Sequence, residues 1–289
     1  MRVAFMIFLL FVFILAVYFL LMYSPAMYTG SSELVDSSKH IVLTGHRGAA
    51  GLAPENTLAA VKAGLEQGVD RIEIDVHQTK DNKIVVLHDP KIDRTTNGKG
   101  YVKDLTFYEI RKYNAGSWFD TTFKDEKIPT LDEIMRLVNG KATLVIEIKA
   151  FADYYKGIEK RVVNIIHKHN ALDWTAICSF DDEVLLKVNE LDSNIVLHKL
   201  FILKFPFLKL FNDGSLRIAD FQYYNFVDEF SVYYPFANKR LINKVHRLNK
   251  PINVWTVDDT VKINRLINLG VDGIITNHPE YFRRGEIEN

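Results

Sequence analysis

The chain alternates short apolar strands with amphipathic helices from residue 41 to residue 276. A strand at 41–44 is followed by a helix at 56–67, and a second strand occupies 71–77. Further strands are predicted at 144–148, 176–178, 195–198, 231–233, 252–257 and 274–276, and further helices at 131–138, 154–169, 182–191, 239–248 and 261–269. This order predicts an α/β fold, but it allows either a closed barrel or an open sheet, because both architectures produce the same pattern.

Length and turn signals indicate one domain after the N-terminal region. Residues 40–289 suffice for a single (β/α)₈ barrel of about 250 residues, and no stretch rich in Pro, Gly and Ser divides them. Residues 90–129 contain many turn formers and no long periodic helix, so we predict a small insertion there. The run at 84–87 follows the second strand so closely that it is either a barrel strand or half of a hairpin.

The strand at 71–77 alternates charged and apolar side chains. One face is apolar, and the other carries Arg71, Glu73, Asp75 and His77. In a half-buried sheet the polar face would meet solvent, whereas in a barrel covered by helices it points into the barrel. If the strands close into a barrel, these carboxylates therefore lie where barrel enzymes place their chemistry.

The N-terminal region is apolar and uncharged over residues 3–22. A helix of this length crosses the roughly 30 Å hydrocarbon core of a bilayer, so we predict one transmembrane anchor at 1–23 and a polar linker at 24–39. Arg2 precedes the run and the first charges after it are acidic, a bias that favours a single-pass topology with the barrel on the extracytoplasmic side. The alternative is a cleaved signal peptide, because residues 24–26 include small side chains at a suitable position.

Composition excludes some partners. The chain has 36 basic and 36 acidic residues and a formal net charge of +0, so it lacks the basic excess typical of proteins that bind nucleic acid through its phosphates. Cys178 is the only cysteine, which excludes an internal disulfide and a cysteine-based zinc site. Its apolar surroundings predict a small core residue.

Six short segments on or after predicted strands carry the reactive side chains: GHRG (45–48), PENT (54–57), EID (73–75), HDP (88–90), EIK (147–149) and VWT (254–256). The whole stretch 45–100 closely resembles the glycerophosphodiester phosphodiesterase family, as do IPTLDEI (128–134), VWTVDD (254–259) and GVDGIITNHPEYF (270–282). The resemblance covers nearly all of 41–282 and is weakest from 195 to 235. It implies a TIM (β/α)₈-type barrel hydrolase that uses one divalent cation and two histidines to cut a phosphodiester and release an alcohol.

The two histidines of these segments suit that chemistry. Hydrolysis of a phosphodiester needs a base for the incoming oxygen and an acid for the leaving alkoxide, and His46 and His88 can supply both because imidazole titrates near neutral pH. The resemblance implies that His46 is the base and His88 the acid, whereas residue chemistry alone leaves the assignment open. The attacking group is either the neighbouring hydroxyl of a glycerophosphodiester, which gives a cyclic phosphate, or water.

The charged residues suit a cation and a phosphate. Glu73, Asp75 and Glu147 form an all-oxygen set appropriate for Mg²⁺ or Ca²⁺. Arg47 can contact a phosphate with two hydrogen bonds, and Lys149 can contact it as a point charge. For Glu147 and Lys149 the alternative is a surface ion pair.

Two further residues are candidates for the edge of the site. We predict that Glu55 holds Arg47 or joins the outer shell of the metal, and the alternative is a role at a helix start beside Asn56. Trp255 is predicted to line the pocket for the alcohol or headgroup, and the alternative is a buried core tryptophan.

Residues 201–211 are strongly apolar with two spaced lysines, which indicates either packing on the barrel or an interfacial surface for acyl chains.

Three candidate functions follow from the sequence. The first is a membrane-anchored glycerophosphodiester phosphodiesterase, and the second is a lysophospholipase D that acts on lysophospholipids by the same chemistry. The third is a catalytically silent, membrane-tethered binding module, which would be expected to have lost a ligand or a histidine.

Overall fold

The computed structural model describes residues 40–149, 155–201 and 221–282. Its strands are β1 (Val42–Gly45), β2 (Arg71–Gln78), β3 (Ile84–Val86), β4 (Thr143–Ile148), β5 (Thr175–Ser179), β6 (Val196–Phe201), β7 (Glu229–Tyr233), β8 (Ile252–Trp255) and β9 (Gly273–Thr276). Its α-helices are α1 (Leu58–Glu66), α2 (Phe107–Ile110), α3 (Leu131–Val138), α4 (Ile158–Lys168), α5 (Asp182–Leu191), α6 (Lys239–His246) and α7 (Thr260–Leu269).

Eight of these strands form a closed parallel barrel. They pair in the order β1, β2, β4, β5, β6, β7, β8 and β9, and β9 pairs in parallel with β1 to close the ring. The closure confirms the predicted TIM-type barrel and excludes the open sheet. It also places the C-terminal strand ends, and the motifs on them, around one mouth.

The strand β3 belongs to a hairpin and is not a barrel strand. β1 pairs only with Arg71 and Ile72 at the start of β2, so the later part of that edge of β2 is free to pair with β3 in antiparallel orientation. The chain thereby returns toward the mouth, and the N–H of Leu87 donates to the carbonyl of Asp75 over 3.0 Å. This hairpin delivers His88 to the level of the carboxylates on β2.

The polar face of β2 points into the barrel, as expected if the strands close into a barrel. Ile72, Ile74 and Val76 are fully buried in the main hydrophobic core between the strands and the outer helices. Glu73 and Asp75, on the opposite face, are also buried. The solvent-facing alternative for this strand is therefore wrong.

At the base of the barrel, the same hydrogen-bonding arrangement occurs at the start of three strands. A Val-Asp pair precedes β2, β7 and β9, and each Asp exchanges two hydrogen bonds with one residue of the neighbouring strand. The backbone N–H of Leu43, Leu197 and Ile252 donates to the carboxylate of Asp70, Asp228 and Asp272, respectively, over 2.8, 2.8 and 2.7 Å. Each Asp N–H in turn donates to the carbonyl of the same partner. These pairs satisfy backbone groups where the ladders begin.

Residues 90–129, where the insertion was predicted, contain no described helix longer than the four residues of α2. They share a small hydrophobic core with the end of the hairpin, separate from the main core: Val85, Leu87, Ile92, Val102, Ile110, Ala115 and Ile128. A second core of this size can hold the loop segments in place beside the barrel mouth.

The helix predicted at 56–67 begins later, at Leu58. Asn56 adopts a left-handed φ of 58°, and its side-chain amide donates to Asp75 over 2.7 Å and accepts from the Asp75 N–H over 3.1 Å. Thr57 is the N-cap, since its hydroxyl accepts from the N–H of Ala60. The predicted helix-start role therefore belongs to Thr57, and neither Glu55 nor Asn56 performs it.

Several predictions concern segments outside the described residues. The anchor at 1–23, the linker at 24–39 and residues 202–211 of the apolar segment lie there, so they stay predictions. In the described ranges, no helix combines the length and hydropathy that a membrane crossing requires. Phe201, the first residue of the apolar segment, ends β6 and is buried against Tyr224 and Phe230.

Candidate active site

The barrel mouth brings most of the predicted site residues around one cavity. The residues that line it include His46, Arg47, Glu73, His88, Glu147, Lys149 and Trp255. They come from the ends of β1, β2, β4 and β8 and from the loop after β3. Residues that are far apart in sequence therefore lie around one cavity, as expected for a barrel.

The loop after β1 is folded tightly against β2. Arg47 has a left-handed φ of 52° and Gly48 one of 93°, and a Cβ at Gly48 would press against the backbone of α1. The N–H of Arg47 donates to Glu73 Oε2 over 2.9 Å, and the N–H of Gly48 donates to the carbonyl of Glu73 over 3.0 Å. This geometry fixes His46 and Arg47 beside the carboxylates of β2.

Three carboxylates converge at the centre of the site. Oxygens of Glu73, Asp75 and Glu147 lie within 4.8 Å of one another, and all three residues are buried. Burial and the charges of the other two carboxylates raise the pKa of Glu73 well above its usual range, and burial raises that of Glu147 to about 7. An oxygen-only set under this repulsion fits a divalent cation such as Mg²⁺ or Ca²⁺.

Lys149 joins the same cluster. Its Nζ lies 2.5 Å from Asp75 Oδ1 and 2.8 Å from Glu147 Oε1. Burial opposes its charge, but the two carboxylates raise its pKa, so Lys149 is a cation inside the site. Its side chain is only 16% exposed, which rules out the surface ion pair that was the alternative for Glu147 and Lys149.

A chain of ion pairs runs from Arg47 to His88. Arg47 donates to Glu55 over 2.7 Å, and Glu55 accepts two further hydrogen bonds from Arg94 over 2.8 and 2.9 Å. Arg94 also binds Asp89 through its Nε over 2.6 Å, and Asp89 Oδ1 lies 2.7 Å from His88 Nδ1. Glu55 thus holds Arg47, one of the two functional roles predicted for it.

The two histidines have different partners. His46 Nδ1 lies 2.7 Å from the side-chain oxygen of Asn277, a neutral amide, whereas His88 pairs with the carboxylate of Asp89. Burial and the charge of Arg47 lower the pKa of His46 to about 4. Burial and Lys149 also lower the pKa of His88, but the hydrogen bond with Asp89 opposes this.

Trp255 lines the cavity, as predicted. Its ring centroid lies 5.5 Å from that of Phe180 and 5.4 Å from that of Tyr233. Trp255, Phe180 and Leu200 line the cavity and give it an aromatic and apolar side, opposite in character to the charged cluster. Cys178 is buried as predicted, but it also contributes to the cavity floor.

Sequence reasoning missed Asp89, Arg94 and Asn277 as contributors to the site. All three lie in the stretches 45–100 and 270–282, which carry the family resemblance, but no role was predicted for them. Their partners are up to 231 residues away in sequence, which no local pattern indicates.

Fold and site together define an α/β-barrel enzyme with an acidic, histidine-containing centre at the C-terminal mouth. The model of the glycerophosphoryl diester phosphodiesterase family matches residues 46–281, and the chain belongs to this family. It is accordingly a phosphoric diester hydrolase.

Similar proteins agree with this assignment. The chain is 38% identical over 238 residues to a glycerophosphodiester phosphodiesterase of Caldanaerobacter subterraneus subsp. tengcongensis, which covers 81% of this chain and 93% of that protein. A glycerophosphodiester phosphodiesterase of Bacillus subtilis is 31% identical over 269 residues, 86% of this chain and 87% of that protein.

Solved structures share the fold. The crystal structure of glycerophosphodiester phosphodiesterase from Agrobacterium tumefaciens superposes with a TM-score of 0.69 at 28% identity, over 84% of this chain and 99% of that one. A phosphodiesterase from Oleispira antarctica, solved with its product sn-glycerol-3-phosphate, gives a TM-score of 0.72 over 82% of this chain and 93% of that one. At 23% identity, this second likeness shows the fold alone.

Proposed function

We propose that the protein hydrolyses glycerophosphodiesters to glycerol 3-phosphate and an alcohol, in glycerophospholipid metabolism, with one divalent cation, Mg²⁺ or Ca²⁺. The observation that carries the proposal is the buried triad of Glu73, Asp75 and Glu147, two members of which line a cavity together with His46 and His88. When bound, the cation supplies positive charge that polarises a phosphoryl oxygen. The three carboxylates would hold it, and its charge would offset their mutual repulsion.

In this proposal Arg47 and Lys149 contact the phosphate. Both line the cavity and are held by carboxylates, Arg47 by Glu55 and Lys149 by Glu147. Preorganised positive charge of this kind stabilises a phosphoryl group as negative charge develops on its oxygens. Trp255 lies on the apolar side of the cavity, where the alcohol would leave.

The partners of the two histidines support one assignment of base and acid. His46 faces a neutral amide and its pKa is about 4, so it is unprotonated near neutral pH and can take the proton of the attacking hydroxyl. His88 pairs with the carboxylate of Asp89, which favours an imidazolium although burial and Lys149 lower its pKa overall, and we assign it the proton for the leaving alkoxide. This supports the assignment that the family resemblance implied. The attacking hydroxyl is that of the substrate glycerol or of water.

Release of glycerol 3-phosphate from glycerophosphocholine tests the proposal. We expect release by the full chain with Mg²⁺ or Ca²⁺, its loss on chelation, and a fall of about 10²–10⁴-fold in the His46→Ala variant. His40→Ala is the matched control, because His40 is exposed and pairs with Asp70 at the base of the barrel. Absence of release from the intact protein, or full activity with a chelator, would contradict the proposal.

No observation favours the two alternative functions. The lysophospholipase D hypothesis depended on residues 201–211, of which the structure describes only Phe201, a buried core residue. The silent binding module was expected to lack a ligand or a histidine. His46, His88 and two of the three predicted metal ligands line the cavity, and Asp75 lies within reach of both ligands.

We also propose that residues 3–22 anchor the enzyme in a membrane with the barrel on the extracytoplasmic side. The support is their uncharged, apolar sequence and the basic residue before them. The full chain should remain with membranes after alkaline extraction, and protease added to intact cells stripped of their wall should digest the barrel. A soluble full chain, or a protected barrel, would contradict the anchor or its orientation.

A further inference from the structure

The side chain of Asn277 lies between His46 and Asp258. Asn277 Nδ2 donates to Asp258 Oδ2 over 2.6 Å, and its backbone N–H donates to Asp258 Oδ1 over 2.8 Å. Its side-chain oxygen lies 2.7 Å from His46 Nδ1. Asp258 Oδ1 also accepts from the hydroxyl of Thr276 over 3.0 Å. The carboxylate is thus held by three donors, one on Thr276 at the end of β9 and two on Asn277, the next residue.

Asp258 determines which way the amide of Asn277 points. A carboxylate only accepts hydrogen bonds, so it must face the NH₂ group, and a flipped amide would place two acceptors against each other. The oxygen of the amide is therefore directed at His46. The amide oxygen only accepts as well, so His46 Nδ1 must carry a proton.

A neutral imidazole carries one proton, so its lone pair is then on Nε2. Nε2 lies on the side of the carboxylates, 3.9 Å from Glu73 Oε2. We propose that Asp258 and Asn277 are positioning residues that hold neutral His46 as the Nδ1–H tautomer, with the lone pair of Nε2 facing the site. The use of that lone pair as a base rests on the proposed function, whereas the tautomer is a property of the protein itself.

The backbone holds His46 in place independently of this pair. The N–H of His46 donates to the carbonyl of Thr276 over 2.8 Å, and the N–H of Gly51 donates to the carbonyl of Asn277 over 2.9 Å. Asp258 is exposed. An Asp258→Asn substitution should therefore leave the loop folded and remove only the preference between the two orientations of the amide.

Nitrogen NMR of the full chain, labelled with ¹⁵N in histidine, reports the tautomer directly. At about pH 8, above the usual pKa of histidine, the His46 signals, assigned by their absence in His46→Ala, should show protonated Nδ1. In Asp258→Asn and in Asn277→Ala we expect the Nε2–H form or a mixture. Unchanged signals from the other eight histidines show that each variant is folded.

Kinetics provide the second readout. We expect kcat for glycerophosphocholine to fall about 10–100-fold in both variants with little change in KM, a typical cost of losing a residue that orients a site group. Asp259→Asn is the matched control, because Asp259 is the adjacent aspartate and caps α7 without contact to Asn277. It should keep both the tautomer and the kcat of the wild type.

Each outcome decides the proposal. Protonated Nε2 in the wild-type protein, or two variants that keep both the Nδ1–H tautomer and the wild-type kcat, would overturn it. A change in Asn277→Ala alone would overturn the part assigned to Asp258. Failure of the wild type to hydrolyse glycerophosphocholine would count against the proposed function, and the NMR result would still decide the tautomer.

Discussion

Arg94 connects Arg47 with His88. It holds Glu55, which holds Arg47, and it also holds Asp89, which pairs with His88. Hydrogen bonds from Arg94 lower the pKa of Asp89 to about 2 although burial opposes this, so the carboxylate remains charged beside the histidine. One guanidinium therefore orients two groups that contact the substrate in the proposed mechanism.

Replacement of Arg94 should impair activity more than its partly exposed position suggests. We expect Arg94→Met to lower kcat/KM for glycerophosphocholine by about 10–100-fold, since Glu55 and Asp89 lose the hydrogen bonds that link them and keep only Arg47 and His88, respectively. Arg94→Lys should recover only part of the activity, because an ammonium group cannot form both two-point contacts.

The matched control for Arg94 is Lys91→Ala. Lys91 lies in the same segment, and its Nζ rests over the ring of Tyr101 at 4.6 Å. Its loss should leave kcat/KM near that of the wild type. Equal effects of the two substitutions would show that the Arg94 ion pairs have no special role.

At this scale the sequence predicted the groups that face the cavity better than the groups that orient them. His46, Glu73 and Glu147 stand on or next to predicted barrel strands, so a barrel alone brings them together, whereas His88 depends on the hairpin of β2 and β3. Arg94 lies in the insertion, and its position depends on a separate small core that no periodic pattern indicates. The family resemblance therefore included the segment that contains Arg94, but the sequence did not predict the contacts of Arg94.

Among the elements, the Asp residues of the three Val-Asp pairs bind backbone N–H groups of neighbouring strands at the base of the barrel. Asp272 accepts from the N–H of Ile252 over 2.7 Å and also lies 2.8 Å from His246 Nε2. Ile252 is buried, so its N–H would lack an acceptor without the carboxylate. The same reasoning applies at Asp70 and Asp228.

We expect Asp272→Ala to lower the free energy of unfolding by about 1–3 kcal/mol in urea titrations, because it leaves a buried N–H unsatisfied. Asp272→Asn should lower the free energy of unfolding by less, since the amide retains an acceptor oxygen. Neither should change kcat per folded molecule, because the base lies at the end of the barrel opposite the active site. A large loss of kcat without a loss of stability would contradict this structural role.

The elements also show where sequence patterns were insufficient. The order of strands and helices predicted an α/β fold, and the family resemblance favoured a barrel over an open sheet. Side-chain alternation separated the two faces of β2, but only closure of the barrel determines that the polar face points inward. The role of 84–87 depended on how far β1 extends along β2, a register that the apolar pattern does not contain. The Val-Asp pairs are visible in the sequence, but their meaning follows only from the backbone N–H groups opposite them.

At the scale of the whole molecule, Arg71 and Glu229 form an ion pair between two strands of the barrel, β2 and β7. Arg71 donates to both oxygens of Glu229 over 2.7 and 2.8 Å, and Asn253 adds a hydrogen bond of 2.9 Å. Burial alone would raise the pKa of Glu229, but the hydrogen bonds from Arg71 and the charge of His198 lower it to about 2. The depressed pKa means that folding favours the ionised carboxylate.

Stability should therefore depend on Glu229 in a defined pH window. Because the pKa is lower in the folded state, the contribution is complete above the unfolded value of about 4.3 and disappears as pH falls toward 2. Glu229→Gln should cost about 3–5 kcal/mol at neutral pH, since it leaves Arg71 unpaired. In urea titrations, the difference between variant and wild type should shrink below about pH 4. A difference independent of pH would contradict this account.

Cation binding should stabilise the whole barrel. Three buried carboxylates repel one another, so a cation at about 100 times its Kd should add about 2.7 kcal/mol by mass action and raise Tm. Glu147→Gln should abolish most of the increase. Glu126→Gln is the control, because burial also raises the pKa of Glu126, but its carboxylate lies in a groove beside α1 and α3. An equal increase in Tm in all three proteins would place the cation elsewhere.

The most direct test of the two-histidine mechanism compares His46→Ala with His88→Ala on two glycerophosphodiesters. One substrate releases choline, whose alkoxide needs a proton, and the other releases p-nitrophenol, an acidic phenol that leaves without one. On the choline ester both variants should be slower by about 10²–10⁴-fold. On the nitrophenyl ester, His88→Ala should recover most of its activity and His46→Ala should remain slow. Recovery of His46→Ala in place of His88→Ala would exchange the two roles, and recovery of neither would contradict acid catalysis by a histidine.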